Sequence, residues 1–140
     1  MFLLDTNILS AMMATLRVAE VAAWMARHPP EHLFTAALCE AEILAGVAIL
    51  PEGKRRTALQ AAARAMFEED FAGRVWAFDS SAALAYADLF AIRRRSGRPV
   101  ATLDLMIASI ARSHSATVVT RNVSDFAAFG VPVTNPWVDS

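Results

Sequence analysis

At 140 residues, 56% of them hydrophobic, the chain is long enough to bury a substantial core within one domain spanning residues 1–140. A formal net charge of −1 excludes a strong general attraction to polyanions, so any nucleic-acid contact must come from local basic clusters. The single cysteine, Cys39, excludes an intramolecular disulfide and fits a reducing compartment.

The chain opens "MFLLDTNILS", an apolar run that stops at Asp5 with Thr6 and Asn7 behind it. The run predicts a short buried strand at 2–4. Asp5 then has two readings, a turn with a helix start or the first ligand of a metal site. Further strands are expected at 32–35 ("HLFT"), 75–78 ("VWAF"), 117–120 ("TVVT") and 132–135 ("PVTN"). Between them run helical patterns. "RVAEVAAWMARH" (17–28) sets Val18, Val21, Ala22 and Met25 on one face. "LCEAEILAGVAIL" stops at Pro51. "KRRTALQAAARAMFEEDF" is an amphipathic helix ended by Gly73. "SAALAYADLFAIRRRSG" closes on arginines and Gly97, and "TLDLMIASIARSHS" follows.

Short apolar strands alternating with helices predict an α/β fold whose parallel sheet is covered on both faces. Ligands of such sheets gather beyond the carboxyl ends of the strands. Asp5 ends the first strand there, and "TVVTRN" delivers Thr120, Arg121 and Asn122 to the same edge. No apolar run approaches a membrane span, and no positive segment precedes "FLL" as in a signal peptide. No membrane association and a cytoplasmic protein are the expectation.

Most of the fourteen acids belong to solvated faces; the informative ones stand among apolar residues. Glu40 and Glu42 lie about 200° apart around one helix, so they cannot share a site. Gly46 lies one turn beyond Glu42 and costs roughly 1 kcal/mol against alanine, for which close approach of another backbone is the natural compensation. Glu42 is therefore assigned inward and Glu40 to solvent. Asp104 shares a face with Ile107, Ala108 and Ala111, where an ionised carboxylate is costly unless paired or bound to a metal. The competing reading is a first-turn acid favoured by the helix dipole, with Thr102 as N-cap. Asp79 reads as an N-cap. Asp125 either caps a short helix or reaches the edge that carries Asn122.

His28, His32 and His114 show no ligand spacing, and no glycine-rich phosphate loop occurs. Cys39, in an apolar stretch, reads as a buried structural thiol. What remains is oxygen: Asp5, Glu42 and Asp104, with Asn122 and Asp125 near. Such hard ligands select Mg²⁺ or Mn²⁺ over zinc.

Five segments in this order resemble the PIN-domain ribonucleases, and among them the VapC-type toxins of toxin–antitoxin pairs. They are "FLLDTNIL", "AEILAG", "GRPVATLDLMIASIA", "VVTRNVSDF" and "VPVTNPW". The resemblance implies a PIN-like three-layer α/β/α sandwich with a central, mainly parallel sheet. It implies an acidic metal site of Asp5, Glu42 and Asp104, with Asn7 orienting Asp5 and Thr120 lining the site. Many members carry Asp where this chain has Asn122, which puts a full second metal site in question. Asn122, directly or through water, and Asp125 remain candidate further ligands.

The reaction implied is endonucleolytic RNA cleavage supported by Mg²⁺, with Mn²⁺ substituting. The family also forms homodimers, and higher hetero-oligomers with a small antitoxin whose tail enters the acidic site. "KRR" (54–56) and "RRR" (93–95) are local basic clusters, the second also suited to a helix C-terminus. Arg95, Arg98 and Arg121 are the candidate contacts to RNA phosphates.

Two other enzyme patterns fit worse. Haloacid-dehalogenase phosphotransferases want a second Asp at position 7, which is Asn7, and receiver domains want a late-strand lysine, whereas the only lysine is Lys54. A degenerate PIN fold that binds its antitoxin without nuclease activity is the non-enzymatic alternative.

Overall fold

The central strand is the one the sequence announces first. In the computed structural model, which describes residues 1–14, 16–99 and 101–139, Leu3 and Leu4 are fully buried on β1 (Phe2–Leu4). β1 lies between β2 (Leu33–Ala36) and β4 (Thr117–Val119), with β3 (Val75–Trp76) and β5 (Val133–Thr134) outside them. The order is β3-β2-β1-β4-β5 and every pairing is parallel. Residues buried on both faces of β1 and β4 are what a parallel sheet covered by helices requires.

The helices are α1 (Thr6–Met13), α2 (Ala19–Ala26), α3 (Ala37–Ala48), α4 (Lys54–Ala65), α5 (Ser80–Arg95), α6 (Thr102–Ser113) and α7 (Val123–Ala127). The chain winds outward from β1 to β3, then crosses to β4 and winds the other way. Right-handed crossovers therefore put α1–α4 on one face and α5–α7 on the other. The packing agrees: α1, α3 and α4 contact one another, as do α5 with α6 and α6 with α7. The fold is the expected α/β/α sandwich. Among the described residues, no helix is long and apolar enough to cross a membrane.

Several boundaries move for local reasons. A 3-10 turn at Pro30–His32 delays β2 to Leu33. β3 ends at Trp76 because Asp79 is already the N-cap of α5, its Oδ1 accepting from Ala82 N at 3.0 Å. The 17–28 helix is shorter, and its core face includes Trp24, 4% exposed, which the expected stripe omitted. The helix over 54–71 is α-helical to Ala65, then widens into a π turn at Met66–Asp70 that brings Met66, Phe67 and Phe71 into the core. Thr102 is not an N-cap: Ala101 holds that position without a side-chain bond, and Thr102 is the first helical residue. Val100, within the quoted "GRPVATLD", lies outside the described residues.

At the amino end of the sheet, Arg74 donates to the carbonyls of Pro30, Leu33 and Asp70 while its guanidinium lies over Phe71. Nearby, Phe34, Trp76 and His114 stack in series, with centroids 4.2 and 3.9 Å apart.

Candidate active site

The order reversal falls between β1 and β4, and the carboxyl ends of these two strands carry Asp5 and Thr120. A crevice at such a switch point is where an open α/β sheet offers ligands room. Asp5 N–H continues the ladder to Val119 O at 3.0 Å, which locks the residue onto the sheet edge. Its side chain is 4% exposed. Oδ1 accepts from Thr6 N at 2.8 Å, and Oδ2 accepts from the Thr120 hydroxyl at 2.8 Å. Asn7 Nδ2 lies 3.4 Å from Oδ2 and donates to Thr120 Oγ1 at 3.1 Å. Asp5 is thus the N-cap of α1 and also the most enclosed acid of the edge. Of its two sequence readings, the turn with a helix start is the one seen here.

Burial pushes the Asp5 carboxyl above the usual carboxylate range; the Thr120 and Thr6 hydrogen bonds oppose this, and the Glu42 charge adds to it. Cys39, fully buried on α3, sets its Sγ 3.9 Å from Asp5 Oδ1. Its thiol is pushed up to about 12, first by burial and then by the Asp5 charge, which makes it an inert neighbour.

Glu42 reaches the same edge from α3. Its Oε1 accepts from the Thr6 hydroxyl at 2.6 Å. The inward and outward assignment of the helix needs correction, because Glu42 is exposed in an open cleft whereas Glu40 is half-buried. The reason for Gly46 is corrected too. A Cβ built there would meet nothing within 4 Å, so no backbone packs against it. Gly46 instead lines an open groove of about 750 Å³ with Met13, Val47, Leu50, Arg55 and Leu59, and Thr6 and Glu42 stand in its wall.

Asp104, in the first turn of α6, is half-buried. Burial raises its carboxyl pKa, and the charges of Asp5, Asp125 and Glu42 raise it further. Asp104 thus feels acids from α1's cap, α3 and α7, and Asp5 feels Glu42 of α3. Asp125 is exposed in the first turn of α7 and does not cap it; Asn122 holds the N-cap position without a side-chain bond, and its N–H donates to Thr120 Oγ1 at 3.0 Å.

The donor set is all hard oxygen and the acids that flank Asp5 and Asp104 repel them, which fits a divalent cation. The spacing is open: among the described residues, no three His, Cys, Asp or Glu side chains stand close enough to hold a metal ion as placed. Of the candidate phosphate contacts, Arg121 is at this edge, its N–H donating to Asn7 Oδ1 at 3.1 Å. Arg95, at the end of α5, and Arg98 are exposed. Sequence reasoning missed Thr6, whose hydroxyl joins Asp5's helix to Glu42. The signal was its place directly after the strand-end acid.

A family model described as PIN domain matches residues 2–131. The VapC ribonuclease Y4jK of Sinorhizobium fredii is 38% identical over 98% of each chain. Toxin FitB of Neisseria gonorrhoeae is 36% identical over 99% of this chain and 100% of its own. A solved structure of FitAB bound to an IR36 DNA fragment superposes with a TM-score of 0.92 at 35% identity, covering 100% of this chain and 98% of that one. With the parallel sheet, the strand-end acid and the polar edge already in place, these matches settle the family: the chain belongs to the PIN-domain family, in its VapC-type branch.

Proposed function

We infer that the protein is a divalent-metal-dependent endoribonuclease, acting in the cytoplasm as the toxin of a type II toxin–antitoxin pair. The observation that carries this reading is the buried Asp5 carboxylate, oriented by Thr6 and Thr120 at the strand end and within reach of the charges of Glu42 and Asp104. Asp5, Glu42 and Asp104 would hold Mg²⁺ or Mn²⁺, with Asn122 or Asp125 as further oxygen donors. The bound metal supplies charge neutralisation at the phosphodiester and lowers the pKa of an attacking water.

The protein's own residues prepare this. Thr120, Thr6 N–H and Asn7 hold the Asp5 carboxylate in one orientation. The Thr6 hydroxyl turns Glu42 toward the same cleft. Half-burial of Asp104 keeps water from screening its charge. Oriented ligands would fix the phosphate and water in line, which lowers the barrier by positioning the reacting groups in advance. Arg121, Arg95 and Arg98 would contact substrate phosphates, and the apolar groove beside Glu42 gives a small antitoxin an approach to the acids. A homodimer, and a larger assembly with the antitoxin, complete the reading.

Incubating the purified protein, free of its partner, with a mixed RNA pool in Mg²⁺, Mn²⁺ or EDTA tests it. Cleavage in metal that EDTA abolishes is expected. Intact RNA in every condition would favour the second reading, a degenerate PIN module that only binds its partner, to which Asn122 and the open spacing of the acids lend weight.

A further inference from the structure

Arg121 is held in a way that the acid site does not require. Its guanidinium lies over the indole of Trp137, 4.6 Å from the ring centroid, while the residue remains exposed. Trp137 is half-buried against the core. The turn that carries it is closed on itself. Asn135 Oδ1 accepts from Trp137 N at 3.0 Å, Asp139 Oδ2 accepts from Asn135 N at 2.6 Å, and Asn135 O accepts from Val138 N and Asp139 N at 3.1 and 2.8 Å. Arg27, the C-cap of α2, donates to Asp139 O at 3.4 Å, which pins the turn to the helical layer.

An arginine laid on an indole loses freedom in its stem while its in-plane N–H groups still point outward as a fork suited to phosphate. The backbone of the same residue donates to Asn7, whose amide touches Asp5 and Thr120. The platform is therefore fastened to the acid site. The Arg121 guanidinium, meanwhile, is laid on the Trp137 ring. A strand with regularly spaced phosphates meets both features at once, one phosphate at the acids and a neighbour at the arginine.

We propose that Arg121, held flat by Trp137, anchors a phosphate of the RNA strand that flanks the scissile one, with Trp137 as the positioning residue. The proposal rests on the ribonuclease reading for its substrate class.

The test is binding of a labelled single-stranded RNA oligonucleotide across a salt series, with EDTA present so that no strand is cut. Arg121→Gln should weaken binding and reduce the slope of log affinity against log salt by about 0.7, one phosphate contact on a single strand. Arg121→Lys should keep the slope. Trp137→Leu should weaken binding and Trp137→Phe, which keeps a ring beneath the guanidinium, should restore it. In cleavage assays Arg121→Gln should raise KM severalfold and leave kcat within about twofold, as loss of uniform binding does. An unchanged slope and KM in Arg121→Gln overturns the anchor, and wild-type affinity in Trp137→Leu overturns the positioning role. A wild type that binds with the Arg121-dependent slope but never cuts overturns the ribonuclease reading alone. One that cuts while Arg121→Gln matches it in KM and slope overturns this proposal alone.

Discussion

The Thr120 hydroxyl donates to Asp5 Oδ2 at 2.8 Å across 115 residues of sequence, and so fastens the carboxyl ends of β1 and β4 together at the acid itself. Both residues are buried. A hydrogen bond to a charged group contributes about 1.5–3 kcal/mol. Thr120→Val should therefore lower the unfolding free energy by about that amount at neutral pH. The loss should shrink near pH 4, because the bond favours the ionised carboxylate over the protonated one. Urea unfolding at the two pH values measures this, and an equal loss at both would show that the hydroxyl serves only to fill space.

Glu42→Gln should reduce RNA cleavage by at least a hundredfold, and Glu40→Gln by less than threefold. Glu42 is the one that Thr6 orients toward the acid cleft, and its charge is the one felt at Asp5 and Asp104. Rates of the two purified variants, measured side by side, decide the matter. Comparable losses would remove Glu42 from the site.

Asp5 and Asp104 both have pKa values raised above the ordinary carboxylate value of 3.8. A raised acid contributes stability that is present below its unfolded pKa and lost as the pH climbs through the folded one. The metal-free protein should thus lose stability from these two groups on going from about pH 4 upward. Asp104→Asn removes one of the repelling charges, so its metal-free melting temperature should exceed that of wild type at pH 7. Mn²⁺, which binds the native state, should raise the wild-type value and raise that of Asp104→Asn much less. Identical metal shifts in both proteins would leave Asp104 as a helix-dipole residue.

Asn122 offers a neutral amide at the sheet edge, beside Thr120. Asn122→Asp should tighten Mn²⁺ binding and lower the stability of the metal-free protein at neutral pH, because the new charge joins an already repelling set. Asp125 is the rival supplier of a fourth charge, since its carboxylate already acts on Asp104. If Asp125 fills that role, Asp125→Asn weakens Mn²⁺ binding and Asn122→Asp gains little. Calorimetric titration of Mn²⁺ into the three proteins separates the two. Unchanged affinity and stability in Asn122→Asp would place residue 122 off the site.

The strands and the acids were readable because each is written in a local pattern. Leu3 and Leu4 stop at an acid, and Val118 and Val119 stop at Thr120, so the sheet edge follows from where apolar runs end. Asp104 was readable because its helical neighbours Ile107, Ala108 and Ala111 are fully buried. What failed needed a partner distant in sequence. Gly46 reads as a close-packing residue until α1 and α4 are seen to leave its face open. Glu42 is exposed because the cleft it serves is open, a matter of tertiary shape and not of helical phase. Thr102 lost its capping role to the backbone angles of Ala101, which side-chain type does not encode. Trp137 drew attention as part of a familiar ending, but its cation partner Arg121 lies sixteen positions upstream and on another strand's end.

The Arg74 clamp lies at the amino end of the sheet, away from the acids. One guanidinium there satisfies three carbonyls, so the loops entering β2 and β3 are tied without help from the opposite edge. The repulsion that Asp104 feels from Asp5 and Glu42 is thus set in a scaffold whose far end holds itself together. Changes of side chain at Glu42 and Asp104 should leave that end in place, whereas changes at Asp5 or Thr120 should loosen the seam between β1 and β4.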